Sequence, residues 1–465
     1  MIEKILWKNA ILILLILSFF LHFWGLENPN EVVFDEVHFG KFASSYMNKS
    51  YHFDVHPPLG KMIIAAGGAL TGFKPGFNFE TIGLKYPNPA YYGLRFFPAL
   101  AGALIPLLVY LILRNLGVSK KIGILGMLIV IFENSLLTVS RFILIDIFLI
   151  FFGLAGLLFY LISRKQKDGK GKILALLVSG LFLGAAFSIK WTGLVFWFLV
   201  LLMSSTNLIR HLIKKHPEKI KPIIIFSVSI ILVPLIFYTS VFALHFHLLP
   251  YSGPGDPFMT PLFQSTLINN PNYNPDNTVG FFEKFAELNR VMLSANAGIT
   301  VTHPYSISWY SMPIMYRSLY YWTKTENGLL VSRIYLLGNP FVWWSVLVSI
   351  ILFCCMLGHY AIKRKWRKLN EKELPIFLLI AYLLNVFTFA FISRVLFIHY
   401  YFPSLVLGII LFCLTTQKLF ERNQKLFWGF IILIIASFIF FSPLTYGIPL
   451  DNFSYNIRNW LPSWI

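Results

Sequence analysis

Ionisable side chains are concentrated in two short stretches that follow the first strongly apolar segment of the chain. The stretches are residues 34–40, Phe-Asp-Glu-Val-His-Phe-Gly, and residues 53–61, Phe-Asp-Val-His-Pro-Pro-Leu-Gly-Lys. A carboxylate can take a proton from a hydroxyl group, and cationic groups beside it can bind an anion. An Asp-Glu pair alone would indicate only a solvated loop. Together the two stretches predict a functional site, because ionisable clusters at a membrane boundary usually serve function.

The composition excludes a soluble protein. Of the 465 residues, 57% are hydrophobic and only 13% are charged, whereas soluble domains carry about 25% charged residues. The sequence therefore predicts an all-α polytopic membrane protein. Runs that approach the roughly 20 apolar residues of a membrane-spanning helix occur near residues 8–26, 93–113, 122–139, 142–162, 173–189, 192–209, 222–244, 341–361, 374–392, 395–416 and 426–444.

The positive charges indicate how the chain is oriented. The formal net charge is +19, and 24 of the 39 Lys and Arg residues lie in short segments between apolar runs. This pattern sets membrane orientation and favours anionic lipids. It lacks the interleaved aromatic residues of nucleic-acid binding, so we expect no nucleic-acid partner. With the N-terminus inside, two large loops, at about 27–92 and 245–340, lie outside, and residues 59–70 of the first form a short interfacial helix.

Further charged residues map to the external ends of the apolar runs. Each of them alone can be a helix-end anchor that reaches water, and for Lys190 this alternative stays open. Asp146 lies too far into an apolar run for an anchor, so we expect it to pair with Arg141 or another cation. Collected at one face, these residues predict a site for a charged lipid headgroup, in which cations bind a leaving phosphate. They are Arg95, Arg141, Asp146, Lys190, Arg394 and His399.

The two opening stretches resemble the first external loop of the dolichyl-phosphate-mannose–protein mannosyltransferases. The resemblance continues in order through residues 95–100, 141–146, 188–193, 303–306, 337–344 and 394–403. It implies a glycosyltransferase fold of the GT-C type with about eleven transmembrane helices and two large external loops. We expect an N-terminal transmembrane module over 1–245 with its catalytic loop at 27–92, a second large loop over 246–340, and a C-terminal four-helix region over 341–465.

The resemblance also implies an activity, which is inverting transfer of mannose from a polyprenyl-phosphate donor to Ser or Thr hydroxyls of exported proteins. By resemblance Asp35 is the general base, and Glu36 shapes acceptor binding or supports the base. Arg95 holds the donor phosphate or the loop that contacts it, and Arg394 is a second candidate for the same anion.

Four further residues are expected to bind substrate or to order the site. His56 and Lys61 order the loop or meet the lipid headgroup. Asp146 matches an acidic position of related lipid-sugar transferases, and His399 lies in the same external-edge set as Arg394. We expect no cofactor, although a divalent metal is not excluded.

One departure from the family pattern bears on location. Eukaryotic members carry a β-trefoil MIR domain in the second large loop, but here that loop has only 95 residues and lacks such repeats. The chain thus resembles the prokaryotic branch, which implies a plasma-membrane protein with its active site facing outward. Two alternatives remain: transfer of another sugar, such as an aminoarabinose, onto a lipid, or a secondary transporter. A transporter is expected to show paired halves, which we do not find.

Overall fold

Long apolar helices make up most of the protein. The computed structural model describes residues 2–167, 169–213, 220–298, 302–392 and 394–464. Within these ranges, eight helices are long and apolar enough to cross a membrane, and a bent pair of helices adds a ninth span. The protein is therefore a multi-pass membrane protein, as the composition predicts.

The helices and strands follow one another along the chain with short connections, except in the two large loops. They are α1 (Ile2–Phe23), α2 (Glu36–Asn48), α3 (Leu59–Leu70), α4 (Tyr92–Asn115), α5 (Lys120–Ile131), α6 (Asn134–Ser140), α7 (Asp146–Lys165), α8 (Lys170–Ile189), α9 (Leu194–Ile213), α10 (Ile220–Ser227), α11 (Val233–Leu248), α12 (Pro261–Gln264), α13 (Phe281–Gly298), β1 (Leu319–Glu326), β2 (Leu329–Leu336), α14 (Pro340–Ile362), α15 (Trp366–Asn370), α16 (Glu373–Thr388), α17 (Phe402–Arg422), α18 (Gln424–Tyr446) and α19 (Asn452–Asn456).

All eleven predicted apolar runs coincide with helices. Two of them, on α1 and α9, correspond to shorter apolar segments in the described residues, at Asn9–Phe23 and Trp191–Ser204, so the count of eleven spans stays a prediction. The run predicted at 395–416 is shifted, since a 3-10 turn occupies Ile398–Tyr401 and α17 begins at Phe402. The short helix predicted at 59–70 is confirmed by α3.

The all-α prediction misses one feature, a β-hairpin in the second large loop. Strands β1 and β2 pair in antiparallel fashion. Between them Asn327 and Gly328 have φ angles of 51° and 77°. Asn-Gly between two runs of aromatic and β-branched residues is a strong hairpin signal, because both turn positions need positive φ. The signal was therefore present in the sequence.

A buried carboxylate organises the break between α5 and α6, which bend by 57°. Glu133 is fully buried and caps α6 by accepting hydrogen bonds from Leu136 N at 2.8 Å and Ser135 Oγ at 2.7 Å. Its other oxygen accepts from Asn339 N at 2.9 Å and Trp343 Nε1 at 2.8 Å. Glu133 therefore ties the broken span to the start of α14.

The two large loops pack directly on each other. Tyr51 N donates to Tyr251 O at 2.8 Å, and Gly255 N donates to Tyr51 O at 3.1 Å. A Cβ on Gly255 would lie only 2.5 Å from the carbonyl carbon of His52, so this approach requires glycine. The loops thereby form one layer, and this layer positions the charged residues described below against the helix ends.

Candidate active site

Asp35 lies in a tight turn immediately before α2. Its side chain is partly exposed and does not cap the helix. The preceding residue, Phe34, has a φ of 44°, which is a strained conformation for a residue with a side chain. Phe34 N donates to Tyr321 O at 3.0 Å, and the two rings stack at 4.5 Å. The hairpin of the second loop therefore holds the turn that presents Asp35.

The adjacent carboxylate, Glu36, has a very different environment, because it is fully buried. Oε2 accepts from Val33 N, Tyr86 Oη and Arg95 Nη2, each at 2.9 Å. Oε1 accepts from Arg95 Nε at 2.8 Å and Ile143 N at 3.0 Å. Five donors use its lone pairs, so Glu36 has the geometry of a residue that supports the base and not of one that contacts an acceptor.

Arg95 was expected to hold either the donor phosphate or the loop that contacts it, and its contacts favour the second role. Its side chain is fully buried and pairs with Glu36 through Nε and Nη2. The remaining donors reach backbone oxygens of the first loop: Nη1 donates to Leu26 O at 3.1 Å and Pro29 O at 2.9 Å, and Nη2 donates to Glu31 O at 3.0 Å. With its donors engaged, Arg95 holds the loop, which was the second of the two roles expected for it.

The pKa of Asp35 is raised to about 7. Burial is the main cause, because a low dielectric disfavours the charged carboxylate. The nearby Lys190 ammonium opposes this shift, while the carboxylates of Asp146 and Asp54 reinforce it. A carboxylate with a pKa near neutrality is a stronger base than an ordinary aspartate.

Asp146 forms an ion pair at the start of α7, although not with Arg141. Lys190 Nζ lies 2.7 Å from Asp146 Oδ1, and both side chains are largely buried. Arg141 instead donates to the backbone oxygens of Trp24 at 2.7 Å and Gly25 at 2.6 Å. The partner of Asp146 is thus the other cation that the prediction allowed, and Lys190 is not a solvent-reaching anchor.

Next to this ion pair lies a cavity of about 280 Å³. Its lining includes His56, Lys190, Asn296, Arg394 and Tyr400. Arg394 Nη2 donates to Tyr400 Oη at 2.6 Å, and Nη1 donates to Asn296 Oδ1. Arg394 Nε is buried and has no hydrogen-bond partner among the described residues. The cavity therefore offers one ammonium and one incompletely paired guanidinium to an anion.

The second opening stretch forms one wall of this cavity. Lys61 is buried and donates to Asp54 Oδ2 at 2.5 Å and to His56 O at 2.6 Å, so it orders the stretch from within. Burial first, and then the neighbouring Lys190, hold the pKa of His56 well below its usual range. Asn296 Nδ2 donates to Val55 O at 2.7 Å and thus joins the second loop to this wall.

His399 lies in the 3-10 turn that precedes α17. It is buried, stacks on the ring of Phe397 at 5.8 Å and meets the ring of Tyr400 at a tilt, at 4.7 Å. Asp146, Lys190 and Arg394 are its charged neighbours. His399 therefore lies close to the ion pair.

No metal site emerges in the ranges that the structure describes. They contain no group of three or more His, Cys, Asp or Glu side chains arranged to hold an ion. Two of the carboxylates near the site, those of Asp54 and Asp146, are already paired with lysines. The expectation that the protein has no cofactor stays a prediction.

Three residues of the site were missed by the sequence reasoning. Tyr400 lies in residues 394–403, which resemble the family, but the sequence assigned no role to it. Tyr321 belongs to the hairpin that the Asn-Gly signal indicates. Asn296 lies on α13, and no local pattern distinguishes it, because its partners Val55 and Arg394 are far away in sequence.

Two solved structures show a fold similar to that of this chain. The S. cerevisiae protein O-mannosyltransferase Pmt1-Pmt2 complex bound to the sugar donor matches with a TM-score of 0.90 over 100% of this chain and 93% of that chain, at 22% identity. ArnT from Cupriavidus metallidurans bound to undecaprenyl phosphate matches with a TM-score of 0.53 over 92% of this chain and 63% of that chain, at 14% identity. The protein has the GT-C fold.

Sequence comparison defines the family. Residues 12–250 match the family described as dolichyl-phosphate-mannose-protein mannosyltransferase, and residues 281–464 match the C-terminal four-transmembrane region of protein O-mannosyltransferases. The chain belongs to this family. Dolichyl-phosphate-mannose–protein mannosyltransferase 1 of Candida albicans is 38% identical over 273 residues, which are 55% of this chain and 30% of the relative. The chain spans about a third of the length of the curated relatives that it matches.

Proposed function

We propose that the protein transfers mannose from a polyprenyl-phosphate-mannose donor to Ser or Thr hydroxyls of exported proteins. The observation that carries the proposal is that Asp35, partly exposed and with a raised pKa, lies within electrostatic reach of Lys190, which lines a cavity together with Arg394. A base and a phosphate-binding pair are the two elements that such a transfer needs. Family membership supports the choice of sugar and acceptor.

The reaction is a direct displacement at the anomeric carbon. The acceptor oxygen attacks this carbon while its proton passes to the Asp35 carboxylate. The bond from the anomeric carbon to the phosphate oxygen breaks on the opposite face, and the configuration inverts. The departing phosphate is stabilised by Lys190 and Arg394, so no general acid is needed.

The other residues position these groups. Glu36 and Arg95 fix the turn that carries Asp35. Asp146 orients the Lys190 ammonium. Lys61 and His56 shape the cavity wall, and holding both substrates in line supplies much of the acceleration.

The experiment is transfer by the purified protein from a defined polyprenyl-phosphate mannose to a Ser/Thr peptide, followed by linkage analysis. We expect α-linked mannose if the donor is β-linked, and transfer by Asp35→Asn that is slower by about 10² to 10⁴-fold. A parallel arm with lipid A and a polyprenyl-phosphate aminoarabinose tests the alternative sugar transfer. Transfer in that arm alone would contradict the proposal. A chelator titration of the same assay tests the expectation that no metal is required.

The proposal includes a location, in which the protein lies in the plasma membrane with Asp35 facing outward. The positive charge of the segments at the opposite helix ends supports this orientation. Labelling of a single cysteine introduced at the exposed position Glu80 with a membrane-impermeant maleimide tests it. In whole cells we expect labelling at Glu80 but none at a cysteine introduced at Lys368.

A further inference from the structure

A second, larger cavity runs along the helices from the first turn of α14 to Lys372 at the start of α16, where α16 is farthest from the candidate active site. It has a volume of about 660 Å³ and lies between α14, α17 and α18. Its walls are formed mainly by apolar side chains, including Val348, Leu352, Phe353, Leu419 and Phe430. Its size is within the range of ligand-binding pockets, which is about 300–1,000 Å³.

This cavity opens toward the bilayer and not toward water. Leu352 is 64% exposed and Val348 is 53% exposed, although both lie within the membrane-spanning helix α14. Leu419, on the other side of the cavity, is 52% exposed. A groove with such walls accepts a hydrocarbon chain, since no polar ligand would find enough partners along it.

One end of the groove is charged. Lys372, at the start of α16, lines the cavity and is half-buried. It belongs to the segment 363–373. This segment and the segment 418–425 together hold nine basic and three acidic residues. Trp366 of α15 lies in the same region and is exposed, as is typical of side chains at the level of lipid headgroups. The groove therefore combines an apolar channel with a cationic end.

We propose that this groove binds an anionic phospholipid of the leaflet opposite the candidate active site. The lipid phosphate lies at Lys372, and one acyl chain runs along α14 between Leu352 and Leu419. A polyprenyl-phosphate donor does not satisfy this geometry, because its phosphate at Arg394 lies at the other end of the same helices. The favourable charge is worth about 1 kcal/mol for each basic residue near the surface, which corresponds to roughly fivefold in affinity.

The experiment measures which lipids stay bound to the full-length protein. The protein is reconstituted in vesicles of equal parts phosphatidylcholine and phosphatidylglycerol, extracted in mild detergent, and its retained lipids are counted by native mass spectrometry. We expect phosphatidylglycerol to be retained in preference to phosphatidylcholine. Lys372→Gln should reduce this preference about fivefold. Leu352→Trp, which fills the groove, should reduce retention of both lipids.

A matched control removes the same charge from the same segment outside the groove. Lys368 is exposed and does not line the cavity, so Lys368→Gln should leave the preference nearly unchanged. Equal losses in Lys368→Gln and Lys372→Gln would show only diffuse attraction and would overturn the proposal. Displacement of phosphatidylglycerol by polyprenyl phosphate from wild type, but not from Leu352→Trp, would assign the groove to the donor chain and would also overturn it. Thermal unfolding of each variant in detergent verifies that it is folded.

Discussion

Two clusters of acids and bases lie at the same membrane edge, and they differ in how completely their hydrogen bonds are used. In the first, Glu36 and Arg95 are fully buried and satisfy each other together with loop backbone and Tyr86. In the second, Asp146 and Lys190 form a single contact beside a cavity, and Arg394 keeps one donor without a partner in the part of the chain that the structure describes. The first cluster, which we call saturated, uses its hydrogen bonds within the protein and can only stabilise the structure. The second cluster, which we call unsaturated, keeps a hydrogen-bond donor that can bind a substrate.

The comparison is sharpest for two neighbours in sequence. Asp35 and Glu36 are consecutive carboxylates with nearly the same chemistry, but their side chains lie in different surroundings. Asp35 is partly exposed, whereas Glu36 is buried. Glu36 accepts five hydrogen bonds from donors of the protein. The Asp35 carboxylate does not cap its helix, and its pKa is raised to about 7. Conservative substitutions of Asp35 and of Glu36 therefore test whether one environment serves catalysis and the other serves stability.

The largest effect is expected for Asp35→Asn. Removal of the base should lower kcat by about 10² to 10⁴-fold, which is the usual contribution of general base catalysis. The melting temperature should stay within error of wild type, because Asp35 holds no element in place. Steady-state transfer assays and thermal unfolding of the same preparation measure both. Near-normal turnover in this variant would remove Asp35 from the role of base.

The matched substitution, Glu36→Gln, should act mainly on stability. It leaves the Arg95 guanidinium buried without a counter-charge, and loss of one partner of a buried pair costs about 3–5 kcal/mol. Thermal unfolding in detergent measures the loss. The double variant Glu36→Leu/Arg95→Leu should be less destabilised than the sum of its single variants. If Glu36→Gln were as stable as wild type but inactive, the division between the two clusters would fail.

The sequence was enough to predict that the charged residues of the two clusters lie at one membrane edge, but not which of them form pairs. Scarcity of acids, the position after an apolar run and the family motifs were enough to single out Asp35, Glu36 and Arg95. Hydropathy was enough to locate the apolar helices, and Pro57-Pro58 before an apolar run was enough for α3. These are local signals, each contained within about 20 residues of chain.

Partner choice depends on contacts between distant parts of the chain. Glu36 meets Arg95 after 59 residues and the backbone of Ile143 after 107. Periodicity states which side of a helix is apolar, but it carries no information about which buried charge lies opposite. For this reason the sequence left two roles open for Arg95, at the donor phosphate or at the loop that contacts it, and Asn296, whose partner Val55 is 241 residues away, was not identified.

The unsaturated cluster predicts a smaller effect at Arg394. Arg394→Gln removes a charged donor to the phosphate, and hydrogen bonds to charged groups are worth about 1.5–3 kcal/mol. We expect the KM for the donor to rise roughly 10- to 100-fold, with the KM for the peptide unchanged. Arg290→Gln on α13 is the control, since Arg290 is exposed. An unchanged donor KM in Arg394→Gln would place the phosphate elsewhere.

The pH dependence of the reaction tests the raised pKa of Asp35. The base acts only as the carboxylate, so kcat/KM should fall about tenfold per pH unit below the pKa of about 7 and level off above it. In Lys190→Gln the cation that opposes the shift is lost, and the pKa of Asp35 should move higher. Profiles of kcat/KM measured between pH 5 and 9 give the pKa of Asp35 in the wild type and in Lys190→Gln. A limb centred near the ordinary aspartate pKa, about 4, would contradict the raised pKa of Asp35.

The smallest effect is expected at Asn296, which joins the two loops at the unsaturated cluster without carrying charge. Asn296→Ala removes its bonds to Arg394 and to Val55 O, and the bond to Val55 O is a neutral hydrogen bond worth about 1 kcal/mol. Because Asn296 orients Arg394, the donor KM should rise several-fold while kcat changes little. In a double-mutant cycle, Asn296→Ala should add nothing further to Arg394→Gln. Full additivity would mean that Asn296 acts on loop packing alone, and the second loop would then have no part in positioning the phosphate.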